Sequence, residues 1–313
     1  MQRRTPSHTD PGLWRRWVLG ARPRTLPAAI VPVALGAAVA WWATHETGAH
    51  SLPTGSPAGT FDWWKPLVAL VVALALQVGT NYANDHSDGV RGTDVARVGP
   101  LRLVGSGLVA PRVVKIAAWS AFGVAGVAGV VLALTTSWWL VPIGVLAVAA
   151  GWLYTGGPRP YGYLGLGELF VFVFFGLVAT IGTLYVAVGS IPAVGWPTAV
   201  AGGLLATALL EANNLRDIAG DATAGKRTLA VRLGRHRAGW LYVGSLVGVA
   251  ASLGLVALWR PWASLGILAL PLAVPSCRLA LSRREGRELL PMLPATGRLQ
   301  LLVGLLLVVG ILW

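Results

Sequence analysis

Nine apolar runs divide the chain, at 25–43, 64–84, 112–133, 138–154, 166–188, 197–215, 238–258, 262–280 and 297–313. A membrane crossing takes about 17–25 mostly apolar residues, so each run predicts one spanning helix. Apolar positions within the runs are continuous and do not alternate, which excludes a transmembrane β-barrel. The first run ends in Trp41 and Trp42, not in a small-residue cleavage site, and reads as a retained span and not a signal peptide.

Charge tests the nine-span reading. With the N-terminus placed in the cytoplasm and the loops assigned alternately, all of the 25 Lys and Arg residues except Lys65 and Arg260 fall on the inner side. That asymmetry is the positive-inside pattern and predicts a cytoplasmic N-terminus and an external C-terminus. Tryptophans mark the other interface. Trp41, Trp42, Trp63, Trp64, Trp138, Trp139, Trp196, Trp259, Trp262 and Trp313 all stand at predicted outer ends, where indole rings anchor.

Composition narrows the class further. The chain has 313 residues, 55% hydrophobic and 12% charged, against about 25% charged in a soluble domain. A soluble enzyme, a disordered chain and a disulfide scaffold are excluded. The single cysteine, Cys277, makes neither an internal disulfide nor a thiolate metal site. The net charge of +13 is spread between apolar runs and not gathered on a soluble face, so nucleic acid is not the expected partner. The expected fold is all-α: a polytopic membrane protein of nine transmembrane helices around a central cavity open to the cytoplasmic side. It forms one domain over 1–313, with 1–22 as a cytoplasmic N-terminal segment in a cell-membrane protein.

The candidate chemistry lies in two acidic clusters at the inner ends of the second and sixth spans. The first is NYANDHSDGVRGTD, residues 81–94; the second is EANNLRDIAGD, residues 211–221. On a helix, Asn81, Asp85 and Asp88 share a face, Asn84 neighbours Asp88, and Asn213, Asp217 and Asp221 share a face. Ionisable groups beside a membrane core are functional by default. Hard oxygen ligands suit Mg²⁺ held jointly by carboxylates and substrate phosphates, and zinc's His/Cys set is missing. Basic residues follow each cluster: Arg91, Arg97 and Arg102 after the first, Lys226 and Arg227 after the second. Arg and Lys there would stabilise a diphosphate leaving group. Glycines at Gly105, Gly107, Gly220 and Gly225 permit close backbone approach.

At these residues the chain resembles the UbiA-type intramembrane prenyltransferases, and within them the 1,4-dihydroxy-2-naphthoate polyprenyltransferase branch of menaquinone synthesis. The strings that carry the resemblance are ARPRTLP (21–27), NYANDHSDGVRGTD (81–94), RVGPLR (97–102), TGGPRPYGYLGLGE (155–168), NNLRDIAGD (213–221) and GKRTLAVRLG (225–234). They occupy all the inner loops but the last. The family's first motif is NDxxDxxxD; here Asn84, Asp85 and Asp88 match, Gly92 stands at the third acid position, and the acid appears at Asp94. The second motif begins at Asn213, where the ubiquinone branch often has Tyr.

The resemblance implies transfer of a polyprenyl group from an all-trans-polyprenyl diphosphate to 1,4-dihydroxy-2-naphthoate. It implies two Mg²⁺ ions, one on Asn84, Asp85 and Asp88 with help from Asp94, the other on Asp217 and Asp221. Arg97, Arg102, Lys226 and Arg227 then contact the diphosphate. For the acceptor, the candidates are Arg22, Arg24, Tyr154, Arg159, Tyr161 and Asn213. Competing readings are another aromatic acceptor (4-hydroxybenzoate or homogentisate), an ion-coupled transporter, and a CDP-alcohol phosphotransferase. The last expects Asp-Gly-x-x-Ala-Arg, whereas Asp88-Gly89 is followed here by Val90, Arg91, Gly92 and Thr93.

Overall fold

A computed structural model of the chain describes residues 12–45, 60–93 and 101–313. Among them there is no strand. A short helix α1 (Leu13–Ala21) precedes α2 (Pro27–His45), α3 (Trp64–Arg91), α4 (Pro111–Thr135) and α5 (Leu140–Leu153). Then come α6 (Gly167–Val188), α7 (Gly195–Thr223), α8 (Leu229–Ala257), α9 (Pro261–Leu281) and α10 (Met292–Leu312). Every predicted span coincides with a helix. Among the described residues, seven helical segments are long and apolar enough to cross a membrane, as befits an integral membrane protein. The two others depart from the expectation for separate reasons. α5 has only 14 residues, and the C-terminal half of α7 carries Glu211, Asn213, Asn214, Arg216 and Asp217.

α2 is the centre of the bundle. Its apolar residues, among them Ala29, Val31, Leu35, Ala38 and Val39, are buried, and it packs on α6, α7 and α10. α3 pairs with α4, α7 with α8, and α9 with α10. α6 contains a π-helical stretch at Phe172–Val178, and there it meets α7 through glycine. A Cβ on Gly176 would stand 2.3 Å from the Cα of Gly203, so the helices approach as small-residue contacts allow. α8 is broken near its start at Gly234, whose φ of 76° is left-handed.

The second acidic motif lies wholly on helix, and the first does so from Asn81 to Arg91. α3 runs on to Arg91 and α7 to Thr223, seven and eight residues beyond the predicted span ends of 84 and 215. Hydropathy stops where polar residues begin, but Asp85, Asp88, Arg216 and Asp217 are buried and the backbone stays helical. α1, ahead of the first span, leaves Leu13 and Trp14 exposed and carries Arg15 and Arg16, the make-up of a helix lying in a membrane interface. It is held by Tyr82, whose hydroxyl donates to the Trp17 carbonyl at 2.9 Å.

Candidate active site

A cavity of about 490 Å³ opens between α2, α3, α4, α5, α6 and α7. One region is apolar, with Leu132, Leu140, Ile143, Phe170, Phe174 and Phe175 on its wall. The other is polar: Arg22, Arg24, Thr25, Gln77, Asn81, Asn84, Arg102, Tyr154, Tyr161 and Asn213. Because α3 and α4 pack as successive antiparallel helices, Leu132 and Leu140 lie toward the tryptophan-rich end. Asn84 and Arg102 lie toward the basic end.

α3 sorts its polar residues onto two faces. Gln77, Asn81 and Asn84 face the cavity. Asn81 Nδ2 donates to the Ala21 carbonyl at 2.8 Å and to Thr25 Oγ1 at 3.0 Å, and Gln77 Nε2 donates to the same Oγ1 at 3.0 Å. These bonds clamp the segment that carries Arg22 and Arg24 to the cavity rim. Arg22 itself is left-handed, with φ of 55°. Asn84 Oδ1 accepts from Thr155 Oγ1 at 2.7 Å.

Asp85 lies on another face. Its oxygens accept from the backbone N–H groups of Leu103 at 2.7 Å and Val104 at 2.9 Å. It is fully buried and absent from the cavity wall. The expected shared face of Asn81, Asp85 and Asp88 is thus split three ways: Asn81 lines the cavity, Asp88 meets Lys226 and Arg102, and Asp85 meets the Leu103 and Val104 amides. Asp85 goes with Tyr82 and Gly89 (i−3 and i+4), which pack against the same two loop residues.

The two motifs converge on one lysine. Lys226 Nζ stands 3.1 Å from Asp88 Oδ2 and 3.9 Å from Asp221 Oδ1. Arg102 Nη2 lies 3.6 Å from the same Asp88 oxygen. Asp88 Oδ1 accepts from the Tyr163 hydroxyl at 2.6 Å, and the Tyr163 ring carries Lys226 Nζ at 4.9 Å and the Arg91 guanidinium at 5.5 Å from its centre. Arg91 also donates to the carbonyls of Thr155 and Gly157. Burial, together with the charge and hydrogen bond of Asp88, pushes the Tyr163 phenol up from its ordinary 10.0. Asp217 takes Arg216 in a two-pronged pair, at 2.7 and 2.8 Å, and the same guanidinium donates to Asn213 Oδ1 at 2.7 Å.

The predicted residues therefore divide. Asn84, Asp88, Arg102, Asp221 and Lys226 come together. Arg22, Arg24, Tyr154, Tyr161 and Asn213 line the adjoining cavity, and the Tyr154 and Tyr161 rings meet edge to face at 5.5 Å. Arg159 and Arg227 do not join them: both are exposed, and neither lines the cavity. Only the backbone of Arg227 takes part, its N–H donating to the Tyr163 carbonyl at 3.0 Å. Asp94 and Arg97 lie outside the described residues. Sequence reasoning singled out none of Tyr163, Thr155, Thr25 and Gln77, although the first three stand within strings that carry the resemblance.

Among the described residues no group of three or more His, Cys, Asp or Glu side chains is gathered as a metal site. The donor chemistry nonetheless fits a hard divalent ion. Asn84, Asp88 and Asp221 offer oxygens only, and the two carboxylates already face a shared cation, the Lys226 ammonium.

The UbiA prenyltransferase family matches residues 54–292. The chain is 50% identical over 295 residues to a 1,4-dihydroxy-2-naphthoate octaprenyltransferase of Mycobacterium tuberculosis, covering 94% of this chain and 96% of the relative. It is 38% identical to the Escherichia coli protein of the same name, covering 94% of each. Among solved structures it resembles a UbiA homolog from Archaeoglobus fulgidus bound to GPP and Mg²⁺, with TM-score 0.61, 14% identity, and coverage of 94% and 99%. It also resembles the apo UbiA homolog of Aeropyrum pernix, with TM-score 0.64, 15% identity, and coverage of 91% and 97%. At that identity the likeness concerns the fold.

Proposed function

The chain belongs to the UbiA prenyltransferase family, and on that premise we propose that it transfers a polyprenyl group from a polyprenyl diphosphate to 1,4-dihydroxy-2-naphthoate. CO₂ and diphosphate are lost and demethylmenaquinol is formed. The observation that carries this reading is the 50% identity, over nearly the whole of both chains, to a protein of that named activity. The cavity supports it, since it joins an apolar wall suited to an isoprenoid tail to a cationic end suited to a diphosphate.

The chain's residues divide the work. Phe170, Phe174, Phe175 and Leu132 bury the tail and keep water from the allylic carbon. Arg102 and Lys226 neutralise the diphosphate as the allylic C–O bond breaks with its electron pair on oxygen. Arg22 and Arg24, on the same wall, bind the acceptor's carboxylate, beside Tyr154, Tyr161 and Asn213. The electron-rich ring attacks the allylic carbon, and the ring carboxylate departs as CO₂. Asn84, Asp88, Asp217 and Asp221 are the residues that would hold Mg²⁺, two ions in this reading. Such ions would supply Lewis-acid stabilisation of the charge that develops on the leaving diphosphate. The solved relative with GPP and Mg²⁺ supports that requirement.

In this reading the domain covers 1–313 and lies in the cell membrane as nine spans, with 1–22 and the active site on the cytoplasmic side. The inner distribution of basic residues supports that orientation. Membranes carrying the protein, given Mg²⁺, farnesyl or geranylgeranyl diphosphate, and carboxylate-labelled 1,4-dihydroxy-2-naphthoate, are expected to release labelled CO₂ together with a prenylated naphthoquinol. Prenylation of 4-hydroxybenzoate or homogentisate instead overturns the acceptor and keeps the family chemistry.

A further inference from the structure

The loop that follows the first acidic motif folds back onto the helix bearing it, and one carboxylate makes that contact. Asp85 is completely buried. Its Oδ2 accepts from Leu103 N at 2.7 Å and its Oδ1 from Val104 N at 2.9 Å. A buried carboxylate is costly unless hydrogen-bonded, and two charge-assisted bonds to backbone N–H are among the stronger ways to satisfy it. They bind residues 18 and 19 positions away, so the bond closes a loop.

Packing on either side of Asp85 locks the same two residues. Leu103 is fully buried with Tyr82, Ala83 and Phe122, and a Cβ on Gly20 would come within 2.6 Å of its Cδ1. Val104 lies so close to α3 that a Cβ on Gly89 would stand 2.4 Å from its Cγ1. The loop then closes on itself, with Gly107 N donating to the Val104 carbonyl at 2.9 Å and Val109 N to the Leu103 carbonyl at 3.1 Å. Arg102 is the residue immediately before this anchored pair. It lines the cavity, 3.6 Å from Asp88.

We propose that Asp85 is a positioning residue and not a metal ligand: by holding the Leu103 and Val104 amides it fixes Arg102 at the diphosphate end of the cavity. The inference rests on the prenyltransferase reading for what Arg102 does there, but the anchor itself is testable without turnover.

The direct test is amide hydrogen exchange at Leu103 and Val104 in the full-length wild-type protein, with and without Mg²⁺ and a non-hydrolysable farnesyl diphosphonate. As an anchor, Asp85 keeps both amides, and their exchange changes less than twofold. Exchange accelerated tenfold or more on adding Mg²⁺ would mean that the carboxylate turns to the metal, and it overturns the proposal.

Two variants supply an independent arm. Asp85→Asn puts an amide NH₂ against a backbone N–H. Gly89→Ala drives Val104 off the helix and leaves Asp85 unchanged. Both are expected to raise the KM for prenyl diphosphate about tenfold, with the Mg²⁺ half-saturation held within twofold of wild type. A tenfold rise in Mg²⁺ half-saturation for Asp85→Asn that Gly89→Ala does not share overturns the proposal. If Asp85→Asn fails to fold, Gly89→Ala and the wild-type exchange still decide it. Wild type that turns over no prenyl diphosphate overturns the function proposed above, and the exchange experiment still decides the anchor.

Discussion

The Lys226 ammonium stands 3.1 Å from the Asp88 carboxylate, which joins two helices whose motifs are more than a hundred residues apart in the chain. With Asp221 at 3.9 Å on its other side, the lysine occupies the space between both acidic motifs. It balances their charge, and it offers a cation to an incoming diphosphate.

Lys226→Met should therefore separate two affinities that usually move together. Without the ammonium, Asp88 and Asp221 repel each other and attract divalent cations more strongly, so Mg²⁺ binding tightens. The diphosphate loses a contact to its developing charge, and kcat/KM falls by about 10²–10³-fold, the effect typical of one such group. Calorimetric Mg²⁺ titration alongside steady-state kinetics checks both halves. Equal weakening of both would contradict the bridging role.

Asp217→Ala costs stability as well as activity. Asp217 and Arg216 are both buried, and removing one partner of a buried pair costs about 3–5 kcal/mol because the other charge is stranded. Turnover should vanish and thermal unfolding should move well below wild type. Arg216→Met added to Asp217→Ala should restore much of the stability and none of the activity. A simple sum of the two single effects on unfolding would deny the coupling.

Tyr163→Phe removes the donor to Asp88 Oδ1 and keeps the ring beneath Lys226 and Arg91. A hydrogen bond to a charged group is worth about 1.5–3 kcal/mol, so kcat/KM should fall about 10–100-fold, and further in Tyr163→Ala. Burial and Asp88 raise the phenol's pKa above 10.0. Below that pH the group stays a neutral donor, and its contribution does not titrate away. Wild type and Tyr163→Phe should then share the same alkaline limb in a pH–rate profile. A wild-type limb below pH 10 that disappears in the variant would show the phenol titrating.

The helices were legible because a membrane span writes itself as a long apolar run. The acidic motifs were legible because carboxylates there need a reason. Less visible was where those helices end: Asp88 and Asp217 interrupt the hydropathy signal without interrupting the backbone. Helical spacing put Asp85 with Asn81 and Asp88, but the Leu103 and Val104 amides of a distant loop take its carboxylate instead. Tyr163 stands inside the 155–168 string, but nothing in that string ties it to an acidic motif. Its role arises only because the segment after α5 returns across both acidic helices. The glycines at Gly105 and Gly107 suggested backbone approach to a phosphate, whereas Gly107, with φ of 72°, turns the anchored loop.

The apolar end of the cavity sets how long a prenyl tail can be housed, and Gly182 is a place to change it. It lines the cavity, and a Cβ built there meets no atom within 4 Å, so a side chain can start from it into the cavity. Gly182→Phe should fill part of the tail's space and leave the residues around Asp88 untouched. The KM for a long polyprenyl diphosphate should rise about tenfold or more, while geranyl and farnesyl diphosphates are used at close to the wild-type kcat. A hydrophobic pocket discriminates by about 1–3 kcal/mol per methylene-sized change, so a phenyl ring is ample. Competition between short and long donors in one reaction measures the ratio directly. An unchanged ratio would mean that the tail leaves the cavity by another route and extends into the bilayer.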